Sequence, residues 1–82
     1  MADYLIIWVD HALEQYLALE PHASTQVTGQ LGQLARDPKT SAQYDAGTDR
    51  WSITFDSGRG LVVYTVNDEN RRVVILRILH VS

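Results

Sequence analysis

Residues 70–80 read NRRVVILRILH, and this run sets the tightest limit on the fold. Val73, Val74, Ile75, Leu76, Ile78 and Leu79 are almost continuous, interrupted by Arg77 and closed by His80. A strand with one wet face alternates apolar and polar residues, whereas a central strand is apolar on both sides. The run is therefore expected inside a sheet, between two other strands. Arg77 and His80 are three positions apart, so a regular pleat sends them to opposite faces.

The rest of the chain supplies the neighbours. YLIIWVD (4–10) is rich in β-branched and aromatic residues and reads as a first strand. Asp10 is placed to cap a following helix, with Val9 as its staple residue. In that helix Leu13, Tyr16 and Leu17 form an apolar stripe. Pro21 ends it and suits the first turn of a second helix, where Ala23, Val27, Leu31 and Leu34 share a face. Pro38 disfavours helical geometry at Asp37 and stops the second helix. Gly29 and Gly32 each cost about 1 kcal/mol in a helix interior, and close packing against a neighbour is the expected reason for them. KTSAQYDAGTD reads as a polar loop. RWSITFD then alternates, with Trp51, Ile53 and Phe55 on one side and Ser52, Thr54 and Asp56 on the other. SGRG is a turn, LVVYTV a third strand, NDEN a hairpin loop, and the opening run the fourth strand.

The expected fold is α+β: a strand, a helix hairpin, then a three-strand meander. These make a largely antiparallel four-stranded sheet with two helices packed on one face. The helix hairpin makes the second strand antiparallel to the first. The fourth strand should then run antiparallel to both the third and the first.

A chain of 82 residues makes one domain, taken as residues 1–82. It has no cysteine, which excludes disulfides and thiolate metal sites and fits a reducing compartment. Leu5–Val9 is too short to span a bilayer and no signal peptide precedes it, so a cytoplasmic protein without membrane contact is expected. The net charge of −3 argues against unspecific binding to a nucleic-acid backbone. That charge is uneven: residues 1–49 carry seven acids against Arg36 and Lys39, and every other arginine follows. His11, His22 and His80 are too scattered to suggest a metal site, and no cofactor motif is present; SGRG lacks the strand-to-helix setting of a phosphate loop.

In their order and spacing, LARDP, RWSITF, LVVYTVND and VVILRILH resemble the RelE/ParE superfamily of bacterial toxins, over nearly the whole chain. The resemblance implies the fold derived above and a small antitoxin protein as partner, in a type II toxin–antitoxin or plasmid-stabilisation pair. It also implies one of two targets: ribosome-bound messenger RNA, which such toxins cut, or DNA gyrase, which they inhibit. In the RNA-cutting members, basic residues occupy the positions matching Ser52 and Thr54, and an arginine the position matching Leu61. Arg59 lies two residues earlier, on the same face. The histidine ending the last strand matches His80, but the sequence closes at VS without the basic residues and tyrosine that usually follow.

Cleavage through a 2′-hydroxyl needs a base, a cation for the charge developing on phosphorus, and an acid for the leaving oxygen. The candidate catalytic residues are accordingly Arg59, Arg77 and His80, with His80 as acid or base and either arginine as the cation. Each also has a structural reading: a strand-end histidine, a solvated turn arginine, and an arginine that reaches the sheet surface or pairs with an acid. The expected function is a toxin-like component acting mainly through protein–protein contacts, with an antitoxin and a gyrase-type target. The alternatives are a ribosome-dependent endoribonuclease with a reduced active site and a degenerate, non-toxic relative. With no long C-terminal helix to cover the last strand, self-association or partner binding through a sheet edge or the helix hairpin is expected.

Overall fold

A computed structural model describes residues 3–81. The elements run β1 (Leu5–Trp8), α1 (Asp10–Leu17), α2 (Pro21–Arg36), β2 (Gln43–Asp45), β3 (Arg50–Phe55), a 3-10 turn (Asp56–Gly58), β4 (Gly60–Asn67) and β5 (Arg72–His80). They form one mixed five-stranded sheet in the order β1-β5-β4-β3-β2. No described helix is long and apolar enough to cross a membrane.

The four-stranded expectation is corrected by β2, three exposed residues within the segment expected to be a polar loop. This strand pairs antiparallel with β3. It adds one reversal of direction between the helices and the meander. As a result β5 runs parallel to β1, pairing Leu5 with Arg72 through Trp8 with Ile75, where an antiparallel pair was expected. The β3–β4 and β4–β5 pairs are antiparallel, as expected.

β5 does lie between two strands, but only its inner face is covered by helices. Its ladder with β4 slips between Val63↔Arg77 and Tyr64↔Ile75, leaving Leu76 as an extra residue. A bulge of this kind changes which positions face the core. Val73 and Ile75 point inward before it, and Ile78 and His80 point inward after it; Arg77 and Leu79 are exposed on the other side. The bulge thus accounts for part of the unbroken apolar run, and Arg77 and His80 do take opposite faces.

The core lies between the inner face and the helices. It joins Ile53, Phe55, Val62, Tyr64, Val73, Ile75 and Ile78 to Ala12, Ala23, Val27 and Leu34. Inside it, the Tyr64 hydroxyl donates to the Pro38 carbonyl at 2.6 Å, fastening the chain where it leaves α2. The second-helix stripe holds, with Leu31 partly buried. In α1 the core-facing residues are Ala12 and Tyr16, whereas Leu13 and Leu17 are 40% and 72% exposed. The expected cap moves as well: Val9 is the N-cap residue, Asp10 is already helical, and no side-chain cap bond forms. Gly29 and Gly32 are not packing sites, because a Cβ on either would meet nothing within 4 Å.

Candidate functional site

His80 ends β5 on the inner face, in register with Gly60 and, through it, with Phe55. A Cβ at Gly60 would run into the Phe55 ring, so glycine is what admits that ring. Phe55 stacks on the His80 imidazole, with centroids 5.7 Å apart and planes 11° from parallel. Beyond Phe55 the backbone turns through Asp56 and Ser57, both left-handed at φ 52° and 55°, and then Gly58 at φ 88°. Left-handed geometry at a non-glycine residue costs on the order of 1–3 kcal/mol and persists only where the surroundings hold it.

Here the surroundings do hold it. The Asp56 amide donates to Gln26 Oε1 on α2 at 2.8 Å. The Asp56 carboxylate reaches back toward the strand end, with His80 Nε2 at 2.8 Å from Oδ2 and His22 Nε2 at 3.6 Å from the same oxygen. Glu20 Oε2 stands 3.5 Å from His22 Nδ1. His80 and Asp56 are 10% and 12% exposed at the side chain, while His22 is 57% exposed. The hydrogen bond from His80 holds the Asp56 carboxyl below its ordinary value, helped by the charges of His22, His80 and Arg59 against some desolvation. When Nε2 donates to Asp56, Nδ1 is left as the acceptor of the His80 ring. His80 also lines an open groove of about 400 Å³, together with Gln15, Ala18, Leu19, Glu20 and Ile78. One wall is the half of β5 that β1 does not reach, where Gln15 Oε1 accepts from the Ile78 amide at 2.8 Å.

Of the three candidate catalytic residues, the structure brings Arg59 close to His80 and leaves Arg77 apart. The Arg59 amide donates to the Asp56 carbonyl and its own carbonyl accepts from Val81, so Arg59 edges the same turn. Arg77 sits on the outer face opposite Val63, which in turn pairs with Ser52. Leu61 and Thr54 occupy the adjoining row with Leu79 on that face. Among the described residues no three histidine, aspartate or glutamate side chains are placed to share a metal ion. Ser82, which closes the VS tail, lies outside the described residues.

Two members of the inner cluster escaped the sequence reading. Asp56 belongs by alternation to the wet face of β3, and only its left-handed φ returns the carboxylate to His80. His22 comes from the first turn of α2, far away in the chain, and no local pattern ties it to residues 56 or 80. The one available signal was SGRG directly after an aspartate, which marks a tight turn without saying where it points.

The sequence matches no protein-family model, and no curated protein sequence pairs with it. Solved structures do match, over nearly the whole chain, and they place it in the fold of the RelE, YoeB and ParE toxins. The toxin–antitoxin complex RelBE2 of Mycobacterium tuberculosis aligns at 24% identity and a TM-score of 0.82, over 96% of this chain and 99% of that one. The intact RelBE complex of Escherichia coli aligns at 22% identity and a TM-score of 0.84, over 96% and 98%. A YoeB/ParE toxin from Agrobacterium tumefaciens gives 13% identity and a TM-score of 0.80, over 95% and 99%.

Proposed function

We propose that the chain is the toxin component of a type II toxin–antitoxin pair and acts mainly through protein–protein contacts. Its fold is that of toxins solved together with their antitoxins in the Mycobacterium tuberculosis and Escherichia coli complexes, which supports a small antitoxin protein as one partner. The observation that carries the mode of action is the make-up of the outer face. Leu61, Val63 and Leu79 stand beside Ser52 and Thr54 there, with Arg77 among them. Such a surface suits protein contact better than a polyanion, whose affinity grows with each phosphate neutralised. A gyrase-type enzyme is the target class this favours.

One observation favours a second reading, a ribosome-dependent endoribonuclease with a reduced active site. His80 is oriented by a carboxylate beside an open groove, as a general acid or base requires. Inducible expression in bacteria, with and without the adjacent small open reading frame, separates the readings when growth and message integrity are scored together. Growth arrest relieved by the neighbouring product, which co-purifies, with ribosome-bound messages intact, is the expected result. Codon-linked cuts in translated messages favour the nuclease, and unimpeded growth removes the toxin reading.

A further inference from the structure

Arg77 stands on the outer face with no ion pair or side-chain hydrogen bond among the described residues. Its cross-strand neighbour is Val63, the next outward residue along β5 is Leu79, and Leu79 pairs with Leu61. Further along the same face Val74 pairs with Ile7 on one side and Thr65 on the other. The ladders place three arginines on this helix-free face, with Arg50 and Arg72 toward its margins, and Arg77 is the one whose strand neighbours on that face, Val63 and Leu79, are apolar. Both helices lie on the other side, so nothing within the described chain answers this charge.

From this we infer that the outer face is the docking surface for a partner protein segment bearing a carboxylate among apolar side chains, with the carboxylate seated on Arg77. The inference rests on the protein-contact reading above and gives it a surface and a partner chemistry. An arginine accepts a carboxylate in bidentate geometry, and the pair strengthens as apolar neighbours exclude water from it. The surrounding leucines and valines are the part of the surface that gains from being covered.

Two other occupants fit less well. An RNA strand seated on Arg77 would lay phosphates over Leu61, Val63 and Leu79, because the other cations of this face stand at its margins, Arg50 of β3 opposite Asp45 and Arg72 between Leu5 and Asn67 at the start of β5. A second copy docked face to face about a twofold axis through this patch would set Arg77 against Arg77, like charge against like.

The test uses the full chain with a photo-crosslinking benzophenone residue at Leu61, and separately at the exposed Leu17 of α1 as a control site. Both are expressed in the bacteria of the growth assay and irradiated. The expected result is a protein adduct from position 61 whose cross-linked peptide carries an aspartate or glutamate flanked by apolar residues. Its yield should fall about ten-fold with Arg77→Glu and return when that partner acid is changed to lysine. Circular dichroism on each variant establishes that the fold is kept. An RNA adduct, a dimer of the chain, an adduct indifferent to Arg77→Glu, or no adduct at all overturns the inference. Growth recorded in the same cultures keeps the two readings apart. Adduct without arrest removes the toxin reading and leaves the surface, whereas arrest without adduct does the reverse.

Discussion

Tyr64 and three aspartates are among the residues that set the range of pH over which the fold keeps its full stability. Burial, helped by the charge of Asp37, pushes the Tyr64 hydroxyl up to about 12. Its value in the folded chain thus lies above its value in the unfolded one. The stability this adds is complete below about pH 10 and is lost as pH rises toward 12. Tyr64→Phe should make that alkaline loss smaller, leaving the part that comes from Tyr4, Tyr44 and Lys39, which their hydrogen bonds to Asp68, Asp49 and Asp68 also raise. It should also cost about 1–3 kcal/mol at neutral pH, because the buried Pro38 carbonyl then has no donor. Urea unfolding of both proteins at pH 7 and pH 11 measures the two effects. The aspartates act at the other end. The Thr40 hydroxyl lowers Asp37, the His80 imidazole lowers Asp56, and Lys39, joined by the Tyr4 hydroxyl, lowers Asp68. Each carboxyl sits lower in the folded chain than in the unfolded one, so its contribution is present above the unfolded value and disappears as pH falls through the folded one. The urea midpoint should therefore drop below about pH 4. Asp56→Asn should make that drop shallower; an unchanged acid profile in the variant would remove Asp56 from the account.

At the scale of the elements, α2 keeps two glycines that its packing does not use. Gly29 and Gly32 are exposed, helical and free of neighbours where a Cβ would go. Gly29→Ala and Gly32→Ala should each stabilise the chain by about 1 kcal/mol, and by roughly twice that together, since the unfolded chain loses freedom and the helix gains propensity. Thermal unfolding of the two single variants and the double one checks this; a destabilised variant would mean that the outer side of α2 is covered by something. The same helix shows what a sequence conveys and what it withholds. Its inward residues and its stop before Pro38 were legible because periodicity and proline act locally. Strands β3 and β4 and most of β5 were legible for the same reason. β2 was not: Gln43, Tyr44 and Asp45 are all exposed and carry no alternation, so only pairing with β3 makes them a strand. That one omission reversed the expected direction of β5 relative to β1. The exposed leucines of α1 were misread by a related route, because a short helix with Ala12 and Tyr16 inward offers a second apolar spacing that the sequence alone does not rank. At the site, His80 was legible from its place at the strand end, while Asp56 and His22 depended on a left-handed turn and on a contact distant in sequence.

Across the whole molecule, the sheet divides the candidate residues between two surfaces. His80 faces inward with Asp56 and His22, and Arg77 faces outward with Leu61, Val63 and Leu79. Arg77 is thus set apart from the inner cluster, where His80 has Arg59 beside it along the backbone of the same turn. Arg59 edges a turn whose carboxylate is already engaged with the imidazole. An acid–base group without several cations around the phosphate is a poor nuclease, because each missing transition-state contact typically costs about 10²–10³ in rate. Such losses are seldom additive, yet two or three of them leave little turnover. His80→Ala and Arg59→Ala should therefore change growth arrest by less than about two-fold, whereas Arg77→Glu should relieve it. His80→Ala also gives up the Phe55 stacking and the Asp56 hydrogen bond, so His80→Gln, which keeps a donor, belongs beside it. Growth after induction, with circular dichroism on each purified variant and primer extension on ribosome-bound messages, decides the matter. Arrest that vanishes with His80→Gln while the fold persists, or messages cut by the unaltered chain and left whole by that variant, would hand the molecule to the inner face and the nuclease reading.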